Sequence, residues 1–191
     1  MISRILVPLD GSELADRILG QVRRILFRED AEVVLLRVVP GPGGRGEASV
    51  RKEAEARAHL AGLRDDLVEK SVRARFEIRA GDPVREVLRF ALSFHPSLIT
   101  MSTHGRSGLG RLVRGSVAEG ILRESPYPLL LCAPAALTSP GEMRFRRILV
   151  PLDGSATSSR IVPLAAAFAR LYGSEVHLFR AESAVEAAQT R

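Results

Sequence analysis

Cysteine, tryptophan and lysine are all scarce in this chain of 191 residues. A single cysteine, Cys132, excludes an intrachain disulfide and a thiolate-held zinc cluster. With no tryptophan, two tyrosines and seven phenylalanines, platforms for stacking nucleobases are few. The net charge of +6 therefore does not point to a nucleic-acid partner. Lysine supplies only Lys52 and Lys70; the other basic residues are arginines interspersed with acids, as in Arg51-Lys52-Glu53-Ala54-Glu55-Ala56-Arg57, the pattern of a solvated helix face. No apolar run approaches the roughly 18 residues of a membrane span. Met1-Ile2-Ser3-Arg4 leads straight into a strand-like run without a secretory leader. The expectation is a soluble, cytoplasmic protein with neither a nucleic-acid nor a membrane partner. A composition of 46% hydrophobic and 26% charged residues suffices for a packed core.

What the chain does contain is a repeat. Arg4-Ile5-Leu6-Val7-Pro8-Leu9-Asp10-Gly11-Ser12 recurs unchanged as Arg147-Ile148-Leu149-Val150-Pro151-Leu152-Asp153-Gly154-Ser155, an offset of 143 residues. The same offset carries Glu32-Val33-Val34-Leu35-Leu36-Arg37 onto Glu175-Val176-His177-Leu178-Phe179-Arg180. Register held across two separated matches marks a duplicated unit, whose second copy is cut short.

The first unit alternates strands and helices. Ile2–Pro8 and Glu32–Val39 are continuous apolar runs, suited to strands buried on both faces. Between them Asp10-Gly11-Ser12 makes a turn, with Ser12 a suitable N-cap. Leu14, Ile18, Val22 and Leu26 then follow at near-helical spacing. Pro40–Gly46 reads as a loop and Ala48–Glu69 as a charged amphipathic helix. Val72–Arg79 alternates apolar and charged residues, the pattern of an edge strand. Gly81-Asp82-Pro83 opens a helix running to about Phe94. Leu98–Ser102 is a fourth strand, Thr103–Gly110 a glycine-rich loop before a helix to about Glu124, and Pro128–Cys132 a fifth strand. Five strands joined by four helices imply an open, doubly wound parallel sheet, an α/β fold with helices on both faces. The expected organisation is a domain over residues 1–134, a linker over 135–145 and a truncated strand–helix–strand repeat over 146–191.

In such a sheet ligands bind outside the carboxyl ends of the strands, where strand order reverses. If the first and fourth strands are neighbours, Pro8-Leu9-Asp10-Gly11 and Met101-Ser102-Thr103-His104-Gly105-Arg106-Ser107-Gly108-Leu109-Gly110 converge there. Glycines admit an anion close to backbone amides, and a helix N-terminus adds donors and positive potential. Arg106 would add a charge-assisted contact, and Ser107 and Ser116 hydroxyl donors. Asp10 is suited to accept hydrogen bonds from ribose or amide groups. The loop is neither a Walker loop nor the dinucleotide fingerprint, which follows the first strand. On its own, a glycine-rich strand-to-helix loop is as well explained by a tight turn.

Three stretches together make the chain resemble the universal stress protein family: Ile5–Ser12, Met101–Gly108, and Arg114-Gly115-Ser116-Val117-Ala118-Glu119. The resemblance covers Met1 to about Pro134 and resumes, truncated, at Arg146. The nucleotide-binding members carry Gly-x2-Gly-x9-Gly-Ser/Thr. Here Gly105, Gly115 and Ser116 match, while Ser102 stands in place of the first glycine, a replacement that costs nothing if φ there is negative. The resemblance implies a Rossmann-like fold of the adenine nucleotide alpha hydrolase type. It implies ATP, with or without Mg2+, placed with its phosphates on Gly105, Arg106, Gly115, Ser116 and Val117. Asp10 would face the ribose, and Pro8, Leu9, Val38 and Met101 would border the adenine. It further implies a homodimeric stress-response module, paired through the fifth strand near Pro128–Ala133, through the truncated repeat, or both, with at most slow ATP hydrolysis. A non-nucleotide-binding interaction module of the same fold is the alternative, and Ser102 is its support. ATP-pyrophosphatases and nucleotidyltransferases of this architecture carry a phosphate or histidine signature after the first strand, and Asp10-Gly11-Ser12-Glu13 has neither.

The remaining candidates read more simply as structural. His104 adjoins the loop and would more often end a strand than hold phosphate. His59 and His95 fall on expected helices and His177 on a second-copy strand, none with a partner at metal spacing. Cys132 reads as a small buried hydrophobe. Asp153-Gly154-Ser155 faces no glycine loop and is expected to bind no nucleotide by itself. The apolar strands of the short repeat must either dock on a surface or remain poorly ordered.

Overall fold

The computed structural model describes residues 2–26, 31–41, 47–103, 115–138 and 145–180. They divide into two compact units, Met1–Ser139 and Pro140–Arg191.

The first unit is an open sheet of five parallel strands, β1 (Arg4–Leu9), β2 (Glu32–Val39), β3 (Arg73–Ala80), β4 (Leu98–Ser102) and β5 (Leu129–Cys132), in the order β3-β2-β1-β4-β5. Strands β1, β2 and β4 are the apolar runs of the sequence, and their central positions are fully buried because helices cover both faces. The alternating segment is β3, at the edge. Its Arg75 and Arg79 lay their guanidinium groups over the rings of Phe90 and Phe94, at 5.4 to 5.9 Å from the ring centroids.

The helices are α1 (Glu13–Asp16), α2 (Leu19–Leu26), α3 (Glu47–Val68), α4 (Pro83–Phe94) and α5 (Ser116–Glu124), with a short α6 (Pro134–Thr138) after β5. On one face, Leu6, Leu36, Ile99 and Met101 pack with Val87, Phe90 and Ala91 of α4 and with Ala118 and Ile121 of α5. Alternation along the strands sends Ile5, Val7 and Leu35 to the opposite face, where α3 lies against β2 and β3.

One helix expected from the spacing of Leu14, Ile18, Val22 and Leu26 is broken. The chain turns at Arg17 and Ile18, where the amides of Ile18, Gly20 and Gln21 bond carbonyls three residues back. The apolar spacing survives the break, since Ile18 is fully buried within the turn.

The second unit contains β6 (Arg147–Leu152), α7 (Ala156–Ser159), α8 (Val162–Tyr172) and β7 (Glu175–Arg180). Its two parallel strands pair from Arg147↔Glu175 to Leu152↔Arg180, the register of Arg4↔Glu32 to Leu9↔Arg37 in the first unit. Its helix breaks at the equivalent place, after Ser159, and Pro163 sits in the first turn of the next segment.

Candidate functional site

β1 pairs with β2 on one side and β4 on the other, so the connections leaving β1 and β4 diverge to opposite faces and open a crevice at their carboxyl ends. The turn after β1 is fastened locally. Asp10 Oδ1 accepts the Ser12 amide at 3.0 Å and the Ser12 hydroxyl at 2.7 Å, and Ser12 Oγ accepts the Ala15 amide at 3.1 Å as the N-cap of α1. Gly11 sits at φ +76°, a conformation that this turn reserves for glycine.

Across the crevice, β4 ends at Ser102, which pairs with Cys132 of β5. Among the described residues only Ser71 and His95 are non-glycine with positive φ, so Ser102 keeps ordinary strand geometry and the backbone there demands no glycine. Gly115 follows as the N-cap of α5 and donates its amide to the Thr103 carbonyl at 2.6 Å. Helix α4 is capped by the Asp82 side chain and α1 by Ser12, whereas the N-cap of α5 is Gly115, which has no side chain to offer. The first turn of α5 adjoins the crevice, and no N-cap side chain engages its amides.

These elements enclose a cleft of about 260 Å³. Pro8, Leu9, Asp10, Val38, Met101, Ser102, Gly115, Ser116 and Val117 line it, which brings together nine of the twelve residues expected from the sequence. The other three, Gly105, Arg106 and Ser107, lie outside the described residues, as does His104. Sequence reasoning missed Leu36 on β2 and Pro83 and Val87 on α4, which add to the apolar lining, as well as Ala15, Thr103 and Ala118. The signal for Pro83 and Val87 was topological: every helix that follows a parallel strand begins at the strands' carboxyl ends, so the Asp82–Pro83 start of α4 belongs at this rim.

The other candidates take structural roles. His59 Nε2 lies 2.8 Å from Asp16 Oδ2, joining α3 to α1. His95, expected within a helix, instead ends α4 in the left-handed region, with Nδ1 3.1 Å from the Tyr127 hydroxyl. His177 lies 3.2 Å from Glu175. Cys132 is buried, and burial pushes its thiol up to about 11. No group of three or more metal-ligating side chains occurs among the described residues, and none of their helices is long and apolar enough to cross a membrane.

The model of the universal stress protein family matches residues 1–133, nearly the whole first unit. The chain belongs to the universal stress protein family. Universal stress protein MJ0531 of Methanocaldococcus jannaschii is 29% identical over 139 residues, covering 69% of this chain and 82% of its own. MJ0577 of the same organism is 25% identical over 153 residues, covering 69% and 94%. The solved structure of MJ0577 aligns with a TM-score of 0.66 at 26% identity, over 70% of this chain and 96% of that one. A universal stress protein of Archaeoglobus fulgidus aligns with a TM-score of 0.72 at 24% identity, over 98% of this chain and 71% of its own, a likeness of fold. Another, solved in complex with cAMP, shares the fold at a TM-score of 0.55 and 19% identity, over 70% of this chain and 98% of its own. The cleft of this universal stress protein lies wholly within the matched segment.

Proposed function

We propose that this universal stress protein binds ATP in the cleft between β1 and β4 and acts as a dimeric, cytoplasmic stress-response module. One observation carries the reading: the first turn of α5, whose N-cap Gly115 has no side chain, shares a cleft with an apolar lining and with Asp10. The three surfaces match the three parts of a nucleotide. Pro8, Leu9, Val38 and Met101, with Leu36, Pro83 and Val87, offer apolar surface to the base. Asp10 would accept from a ribose hydroxyl while its Oδ1 continues to fasten Ser12. The amides of Ser116 and Val117 and the Ser116 hydroxyl would donate to phosphate oxygens, favoured by the positive end of the helix dipole. Gly105, Arg106 and Ser107 join from the preceding loop in this proposal. Mg2+, where it accompanies the nucleotide, would be held mainly by phosphate oxygens.

The alternative, an interaction module without nucleotide, drew its support from Ser102, and the ordinary strand conformation of Ser102 weakens that support. For dimerisation the proposal uses the outer edge of β5, whose Leu129, Leu130 and Leu131 are only half-buried, together with or in place of the repeat over 146–191. Hydrolysis would at most be slow.

Calorimetric titration tests the binding, with cAMP as a competing ligand. Binding with a Kd near ~10 μM would stabilise the fold by about 2.7 kcal/mol at ~1 mM ATP. Ser116→Ala should weaken ATP about fivefold, the value of one hydrogen bond of roughly 1 kcal/mol. Absence of both heat and thermal shift in folded protein would contradict the proposal.

A further inference from the structure

We infer that Arg37, outside the lining of the cleft, is the positioning residue that sets the Asp10–Gly11–Ser12 turn. This inference concerns the turn first and bears on nucleotide binding only through the function proposed above. Arg37 lies on β2, paired with Leu9, one residue before Val38, so its side chain leaves the sheet on the face opposite Val38. Its guanidinium lies under Gly11: a Cβ built on Gly11 would come within 2.8 Å of Cζ and 2.9 Å of Nη2, and closer still to Nη1. That Nη1 is buried. The planar guanidinium thus fills the space any side chain at position 11 would need. It also packs against the left-handed residue of the turn that Asp10 and Ser12 fasten.

The second unit repeats the device. Gly154 is also left-handed, at φ +85°, and a Cβ there would lie 3.2 Å from Arg180 Nη1 and 3.3 Å from Arg180 Cζ. Arg180 pairs with Leu152 as Arg37 pairs with Leu9. Two units therefore place an arginine from the second strand of the pair against the glycine of the same turn, and Asp153 Oδ1 accepts the Ser155 amide at 2.8 Å as Asp10 does that of Ser12.

The test is amide hydrogen exchange by NMR on the full, nucleotide-free chain, comparing Arg37→Ala with the native protein. Arg37→Met keeps the apolar stem and serves if the alanine variant does not fold. The Ser12 amide, bonded to Asp10, should exchange about tenfold faster in either variant, while the Leu35 amide within β2 stays within about twofold. A loss of overall stability would instead accelerate both. Gly11→Ala should also unfold the native protein more than it unfolds the Arg37→Ala background, because removing the guanidinium removes the collision. Unchanged Ser12 exchange, or equal acceleration at Leu35, overturns the assignment. Where native protein binds ATP, the variants should bind it about fivefold more weakly, and unaltered affinity overturns the link to the site. Failure of native protein to bind ATP defeats the proposed function, and the exchange measurement still decides the role of Arg37.

Discussion

Asp10 has two tasks available to it, and its Oδ1 performs the first. That oxygen holds both donors of Ser12, so Asp10→Ala removes two hydrogen bonds and should lower stability by about 1–2 kcal/mol, read by denaturant unfolding. Asp10→Asn keeps an acceptor oxygen for Ser12, and its loss of stability should be the smaller. Cys132 is a second residue with a definite expectation. Its thiol, raised to about 11 by burial, is almost wholly protonated at neutral pH. Thiol reagents at pH 7.5 should label the native protein at least ~100-fold more slowly than the unfolded chain. Asp153 moves the other way: hydrogen bonds from Ser158 and then Ser155 hold its carboxyl below the usual range. A depressed carboxyl contributes stability above its unfolded value, and that contribution fades as pH falls through the folded value. The second-unit turn should therefore loosen only in acid well below pH 4, a loss that exchange at the Ser155 amide would follow.

At the scale of elements, helix starts position the site. Asp82 accepts the Arg85 amide at 3.0 Å and Pro83 opens α4, so Asp82→Ala should cost about 1 kcal/mol and loosen the rim that Pro83 and Val87 form. The same scale shows what was legible in the sequence. The strands could be read because fully buried parallel strands are continuous apolar runs and the edge strand β3 alternates. The meeting of Asp10 with the end of β4 was legible only on the condition that β1 and β4 are neighbours, and the strand order supplies that condition. Leu36, Pro83 and Val87 were not legible by motif, since apolar residues at a cleft look like core residues until the topology places them at the strands' carboxyl ends. The break between α1 and α2 was hidden for a related reason: Ile18 is buried whether the chain is helical there or turns.

For the molecule as a whole, the repeat is unequal. Leu149, Leu178 and Phe179 are 64%, 63% and 52% exposed, whereas Leu6, Leu35 and Leu36, their equivalents at the offset of 143, are 0–1% exposed. The first unit covers those positions with α3, α4 and α5, elements that the second unit has no counterpart for among the described residues. Every described residue that lines the cleft belongs to the first unit. A chain ending at Pro134 should then fold and bind ATP within about twofold of the full chain, since sites sharing no residues are independent to a first approximation. The central claim, that the strand-end cleft holds the nucleotide, is tested most directly by a crystal structure of the full chain grown with excess ATP. The account predicts phosphate density at the amides of Ser116 and Val117 and the base against Val38 and Met101. Nucleotide density elsewhere, or an empty cleft in crystals soaked at saturating ATP, would contradict it.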